Sequence, residues 1–198
     1  MDDFPELREV PLFEKTIYKG KLITISQTKV QLPNGKTSLR EIVRHNGGVG
    51  IAAIDDKGNV FLVRQYRISP DLFTLEIPAG KLDSPAEDPL CAAIRELKEE
   101  TGLQADRMEF LMTILPTPGY STEKLYLYLA TGLSSGHACP DADEFLSVVR
   151  MPLEQAAQLA MNGGFTDAKT ALALLVARNR LQIPSQDPNR IPCLQVNE

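Results

Sequence analysis

The run Arg95-Glu96-Leu97-Lys98-Glu99-Glu100-Thr101-Gly102, entered from Pro78-Ala79-Gly80, constrains this chain more than any other stretch. On a helix, positions 96, 99 and 100 are spaced i, i+3, i+4 and share one face. Like charges at that spacing repel and destabilise the helix unless a cation sits among them. Oxygen-only ligands favour a hard divalent ion, Mg²⁺ or Mn²⁺, and Mg²⁺ typically bridges one or two carboxylates to substrate phosphates. Most charge runs are only the solvated face of a helix, and a short acidic motif alone carries little weight. Gly80 before the run and Gly102 at its end set this one apart.

The helix follows from its neighbours. Leu90, Ile94, Leu97 and Thr101 fall at i, i+4, i+7 and i+11, which predicts one largely apolar stripe facing the core. Glu96 and Glu99 lie well away from that stripe, and Glu100 flanks it. Pro89 suits a first turn and Gly102 a C-terminal stop. Arg95 and Glu99 are i, i+4 partners, so Arg95 is placed to hold that carboxylate.

Around this helix the chain reads mostly as strands. Residues 1–12 look like a loose arm. Strands are expected over 23–31 and 38–45, joined by the Asn34-Gly35 turn, then over 49–54 and 60–65 about a turn at 55–59. Further strands are expected over 72–77, 108–115, 124–131 and 145–151, with a loop over 132–141. Two helices close the pattern, one over 152–161 and one starting after an N-cap at Thr166 and reaching about Arg180. Pro184, Pro188 and Pro192 mark an irregular tail. Strands with helices segregated in sequence predict an α+β sandwich built on a mixed sheet. The expected division is residues 1–46 as an N-terminal arm and β subdomain, 47–180 as the main domain, and 181–198 as a tail. A hairpin the size of the first part is too small to be stable unaided.

Charge and cysteine usage narrow the class. The balance of 21 basic against 26 acidic residues gives a net charge of −5, with no compensating basic cluster, which argues against a nucleic-acid partner. An anionic substrate remains compatible, because metal ions supply a positive field. Cys91, Cys139 and Cys193 are odd in number and fit no zinc spacing, which suggests a reducing cytoplasm. The acidic opening Met1-Asp2-Asp3-Phe4 is unlike a signal peptide, and no apolar run approaches a membrane span.

Taken together, Gly80, Glu87 and the run from Arg95 to Leu103 resemble the signature of the Nudix hydrolases. Six residues, Lys81 to Ala86, separate Gly80 from Glu87, one more than the family spacing; the downstream half matches without a gap. The extra residue falls in a loop with Asp83, Ser84 and Pro85, so Asp83 or Asp88 stands as an alternative to Glu87. Leu75-Glu76-Ile77-Pro78-Ala79-Gly80-Lys81-Leu82, Val63-Arg64-Gln65-Tyr66-Arg67 and Pro116-Thr117-Pro118-Gly119-Tyr120-Ser121 are similar to the ADP-ribose pyrophosphatase branch. Pro118 lies fifteen positions past Leu103, where that branch carries a diagnostic proline.

The resemblance implies a Nudix-type α/β/α sandwich, a small β subdomain exchanged in a homodimer, and hydrolysis of a nucleoside diphosphate sugar. It implies Mg²⁺, with Mn²⁺ as the alternative, held by Glu96, Glu99, Glu100 and the backbone carbonyl near Ala79. Glu144 is the candidate general base, with Asp141 and Asp143 as rivals in the same acidic loop. Arg67 is the first candidate to hold a ligand phosphate or terminal ribose, and Arg40 the second. Glu76 is placed to accept hydrogen bonds from ligand hydroxyls or amine. The expected reaction is cleavage of ADP-ribose to AMP and ribose 5-phosphate. The alternatives are a hydrolase of another such sugar, of the GDP-mannose type, and a non-catalytic ADP-ribose sensor. An attached basic helix-turn-helix and a damaged acidic run would mark the sensor, and this chain has neither feature in its sequence.

Overall fold

The computed structural model describes residues 4–138 and 145–182. These form two compact units. One comprises the described residues through Asn46 together with Leu115–Glu123; the other comprises Gly47–Ile114 and the described residues from Lys124 onward.

The smaller unit is a three-stranded antiparallel sheet of β1 (Val10–Lys19), β2 (Thr24–Gln31) and β3 (Thr37–Arg44), in that order. Where a loose arm is expected, Pro5–Leu7 forms a short 3₁₀ turn and β1 pairs along the length of β2. All of β1 is exposed, so no inward-outward alternation betrays it in the sequence. Asn34-Gly35 makes the expected turn, with Gly35 at φ 80°. The segment Leu115–Glu123 runs along β3: the Val43 amide donates to the Tyr120 carbonyl at 2.7 Å and the Thr122 amide to the Val43 carbonyl at 2.9 Å.

The larger unit is an α/β/α sandwich. Its mixed sheet has the order β10 (Leu146–Pro152), β5 (Asn59–Arg67), β4 (Gly48–Ile54), β9 (Leu125–Ser135), β8 (Leu103–Ile114). β6 (Leu72–Glu76) pairs with β5, and β7 (Ala79–Lys81) with β4. β4 and β9 are parallel, while the other pairs are antiparallel. Every residue of β4 is buried, as a central strand covered on both faces requires. Val49, Ile51 and Ala53 enter one core with Ala92, Ala93 and Leu97 of α1 (Pro89–Thr101). Ala52 and Ile54 enter the other, with Ala156 of α2 (Leu153–Met161) and Ala173, Leu174 and Ala177 of α3 (Ala168–Gln182). Each fully buried Leu, Ile or Val side chain in these two layers contributes about 1.5–3 kcal/mol over its exposed state. Among the described residues no helix is long and apolar enough to cross a membrane.

Two expectations need correction. The buried face of α1 is not the whole 90, 94, 97, 101 stripe: Ala92, Ala93, Glu96, Leu97 and Glu100 are buried and Leu90 packs against the same core, but Ile94 is 36% exposed. The helix is rotated because two alanines let it lie close on β4, which turns two carboxylates toward the sheet. The first turn of α3 is capped by Asp167 rather than Thr166, since the Thr170 amide donates to Asp167 Oδ2 at 3.1 Å.

Candidate active site

α1 owes its ends to local chemistry. Asp88 accepts hydrogen bonds from the amides of Leu90 (2.7 Å) and Cys91 (3.3 Å), Pro89 opens the first turn, and Gly102 closes the last at φ 70°. Those caps fix where Arg95, Glu96, Glu99 and Glu100 stand.

Arg95 lies at the centre of the acidic cluster. Its Nη1 donates to Glu96 Oε1 at 2.7 Å and to Glu99 Oε2 at 3.0 Å. Its Nη2 donates to the Lys81 carbonyl and to Glu87 Oε1, both at 3.3 Å. Burial works against the Arg95 charge, but Glu96 first, then Glu99 and Glu87, outweighs it and holds the guanidinium protonated beyond its ordinary range. The repulsion among neighbouring glutamates is thus relieved in part by a side chain of the same helix. The loop with the extra residue closes on itself, the Asp83 amide donating to Glu87 Oε2 at 2.6 Å, so Glu87 faces Arg95. Of its alternatives, Asp88 is the helix cap, and Asp83 is 70% exposed with its carboxylate 3.9 Å from Arg95.

Glu100 and Glu96 reach the strand side. Glu100 Oε2 accepts from the Ala79 amide at 2.9 Å. The Glu96 carboxylate lies directly over Gly80, where a Cβ would come within 2.0 Å of Glu96 Cδ. Both glutamates are buried, Glu100 to 3% exposure and Glu96 to 7%. Buried carboxylates are costly unless cations and donors surround them. The Arg95 guanidinium faces Glu87, Glu96 and Glu99 together, and the acidic side chains of the cluster offer oxygen donors. That donor set fits a hard divalent cation. Among the described residues, no three such side chains converge closely enough to enclose an ion by themselves.

Beside this cluster lies a second charged group. Arg67 faces Glu76 with its fork, Nε to Oε1 at 2.8 Å and Nη2 to Oε2 at 2.9 Å. Thr74 Oγ1 donates to Glu76 Oε1 at 2.6 Å, and Lys169 Nζ donates to Oε2. Each Glu76 oxygen therefore accepts two hydrogen bonds, the lone-pair capacity of a carboxylate. Glu76, expected to accept from ligand hydroxyls or amine, has its acceptor positions engaged by Arg67, Thr74 and Lys169, and it faces the Arg67 fork. Arg67 stays 43% exposed at the side chain while its fork is engaged. Sequence reasoning missed Lys169, because a lone lysine in a first helical turn looks like an ordinary surface charge.

Glu76 also predicts an acid response. Burial by itself would raise its carboxyl pKa, but Arg67, Lys169 and Thr74 bring it down to about 2. A carboxyl depressed on folding contributes stability that is fully present above the unfolded value, near 4.5, and is lost as pH falls through about 2. The contribution is on the order of 3 kcal/mol. Urea unfolding between pH 5 and pH 2 should show this loss. Glu76→Gln, already less stable at pH 7, should lose less over the same window; an unchanged slope would remove Glu76 as its source.

The remaining candidates are Arg40, Pro118 and the three acidic-loop residues. Arg40, on β3, donates from Nε to Glu9 Oε2 at 3.0 Å and from Nη1 to Ser38 Oγ at 3.0 Å, within the smaller unit. Pro118 lies on the segment that runs along β3. Asp141, Asp143 and Glu144 fall outside the described residues.

Comparison with known proteins adds the family. The NUDIX domain matches residues 44–174. Over 160 residues the chain is 41% identical to a methanol dehydrogenase activator of Bacillus methanolicus, covering 80% of this chain and 86% of that protein. Over 170 residues it is 39% identical to an ADP-ribose pyrophosphatase of Bacillus subtilis (strain 168), covering 85% and 91%. A solved structure of an ADP compounds hydrolase superposes with a TM-score of 0.79 at 29% identity, covering 88% of this chain and 95% of that one. With this match to its sequence and fold, the chain belongs to the Nudix family and is a Nudix hydrolase.

Proposed function

We propose that the protein hydrolyses the pyrophosphate bond of ADP-ribose, giving AMP and ribose 5-phosphate, with Mg²⁺ as its metal. The observation that carries the reading is the pair of buried carboxylates, Glu96 and Glu100, pressed on the Ala79-Gly80 strand beside the cationic Arg95. The relatives named for ADP-ribose and ADP compounds direct it to that substrate. Glu96, Glu99, Glu100 and the Ala79 carbonyl would hold the ion. When bound, a divalent ion neutralises the diphosphate and makes water acidic enough to attack near neutral pH.

The residues of the chain do the rest. Arg95 keeps Glu96 and Glu99 fixed, Glu100 ties the helix to the Ala79 amide, and Arg67 is the group offered to the ligand's anionic or ribose end. Glu144 is the base we assign to take the proton of the attacking water, on the resemblance of its acidic loop. Water adds to one phosphorus as the bridging P–O bond breaks, and the bridging oxygen leaves with the other product. Exposed Leu12, Phe13, Ile17 and Tyr18 on the edge strand β1 support a homodimer, which a light-scattering mass would check. The lack of a basic cluster supports a protein without nucleic-acid partners, and the odd number of cysteines, which fit no zinc spacing, supports a cytoplasmic one.

Turnover in ¹⁸O-labelled water tests the reaction. ADP-ribose with Mg²⁺ should give AMP and ribose 5-phosphate, with label in only one of them, and chelation should stop it. Faster cleavage of GDP-mannose would transfer the assignment to that class of sugar, and no cleavage of either would end it.

A further inference from the structure

The first turn of α3 touches the short strand run against which the acidic cluster of α1 packs. Lys169 Nζ donates to Glu76 Oε2, and the Ile77 amide donates to Thr170 Oγ1 at 2.9 Å. Asp167 Oδ2 is 3.0 Å from Lys169 Nζ and accepts from the Thr170 amide at 3.1 Å. Two residues further along the chain, the Ala79 amide is held by Glu100. The run from Glu76 to Ala79 is therefore pinned by α3 at one end and by α1 at the other.

We infer that Lys169 is a positioning residue for Arg67, acting through Glu76. Arg67 and Glu76 alone form a neutral pair whose carboxylate is only 3% exposed at the side chain. Without Lys169, the guanidinium fork and the Thr74 hydroxyl leave one lone pair of Oε2 unfilled in that buried carboxylate. An underfilled buried carboxylate is unstable and turns toward whatever donor is near. Lys169, itself 13% exposed at the side chain, fills the outer side of Oε2, and Asp167 fixes the ammonium from behind. The Glu76 plane is thereby set, and a bidentate fork copies that plane onto the guanidinium. The exposed edge of Arg67 then meets a ligand already oriented, which lowers the ordering cost of binding.

This inference rests on the proposed reaction only where turnover is the readout, so two measurements are paired. The first needs no substrate. The Nε–Hε signal of Arg67, identified by its loss in Arg67→Lys, should be resolved and slow to exchange in the wild type. It should remain so in Lys169→Arg and become averaged in Lys169→Met, in a protein whose amide spectrum is otherwise dispersed. The second is kinetic. Lys169→Met should raise KM for ADP-ribose about tenfold, the scale of one charge-assisted hydrogen bond, with kcat within about twofold. Lys169→Arg should restore most of the loss, and in an Arg67→Ala background Lys169→Met should add little.

An unchanged Arg67 signal in Lys169→Met overturns the inference, as does an equal KM effect with Arg67 absent. If Lys169→Met does not fold, Lys169→Gln is read in its place. Failure of both to fold would make Lys169 a folding residue and also overturn the inference. A wild type inactive on ADP-ribose would remove the proposed substrate, while the first measurement would still decide the role of Lys169.

Discussion

Glu100→Gln is expected to lower kcat by about a thousandfold while leaving the protein folded. The substitution separates two jobs of one side chain. Glu100 Oε2 accepts from the Ala79 amide, and a glutamine carbonyl oxygen can do the same, so the strand stays in place. What is lost is the negative charge that a divalent ion would use. Steady-state rates at saturating Mg²⁺, with circular dichroism as the check on folding, measure the effect. A loss smaller than about tenfold would show that the charge at this position is not used in the reaction.

Gly80→Ala should damage both stability and activity. Its methyl carbon would lie 2.0 Å from Glu96 Cδ and 2.1 Å from Oε1. Neither side has room to retreat: Gly80 is paired with Val49 in the sheet, and Glu96 is buried on a helix packed against that sheet. The strain is expected to cost about 1–3 kcal/mol, or to be relieved by swinging Glu96 out of the cluster. Turnover should fall by more than about a hundredfold in either case, because a misplaced group near the chemistry has effects of that size. Thermal melts and rates measured together distinguish the two routes. Wild-type values for both would show that Glu96 has no need of its place over Gly80.

Much of this arrangement is legible in the chain because single residues decide it locally. Pro89 and Gly102 mark the ends of α1 through backbone requirements no distant contact can overrule, and Asn34-Gly35 marks its turn in the same way. The strand that becomes β4 is recognisable because a segment buried on both faces must be apolar throughout. The rotation of α1 is less legible. Two alanines outweigh Ile94 in choosing the buried face, since closeness of approach matters more than the size of the side chain. Glu96 and Glu100 then go inward, where hydrophobic periodicity reads Glu96 as outward and Glu100 as only flanking the apolar stripe. β1 escapes because it has no buried face, and β7, only three residues long, is too short to show a period. Lys169 and Glu76 are 93 positions apart in the chain, and nothing local announces their meeting.

The excursion of Leu115–Glu123 out of the larger unit has a consequence for any attempt to dissect the protein. The chain ends β8, lends a stretch of backbone to the edge of β3, and returns to begin β9. Cutting away everything before Gly47 would therefore not yield an intact catalytic fragment. It would orphan the amide of Thr122 and the carbonyl of Tyr120 and leave the turn bearing Pro118 without its template. Grafts and chimaeras among relatives must carry the leading sheet and that returning turn as a matched set.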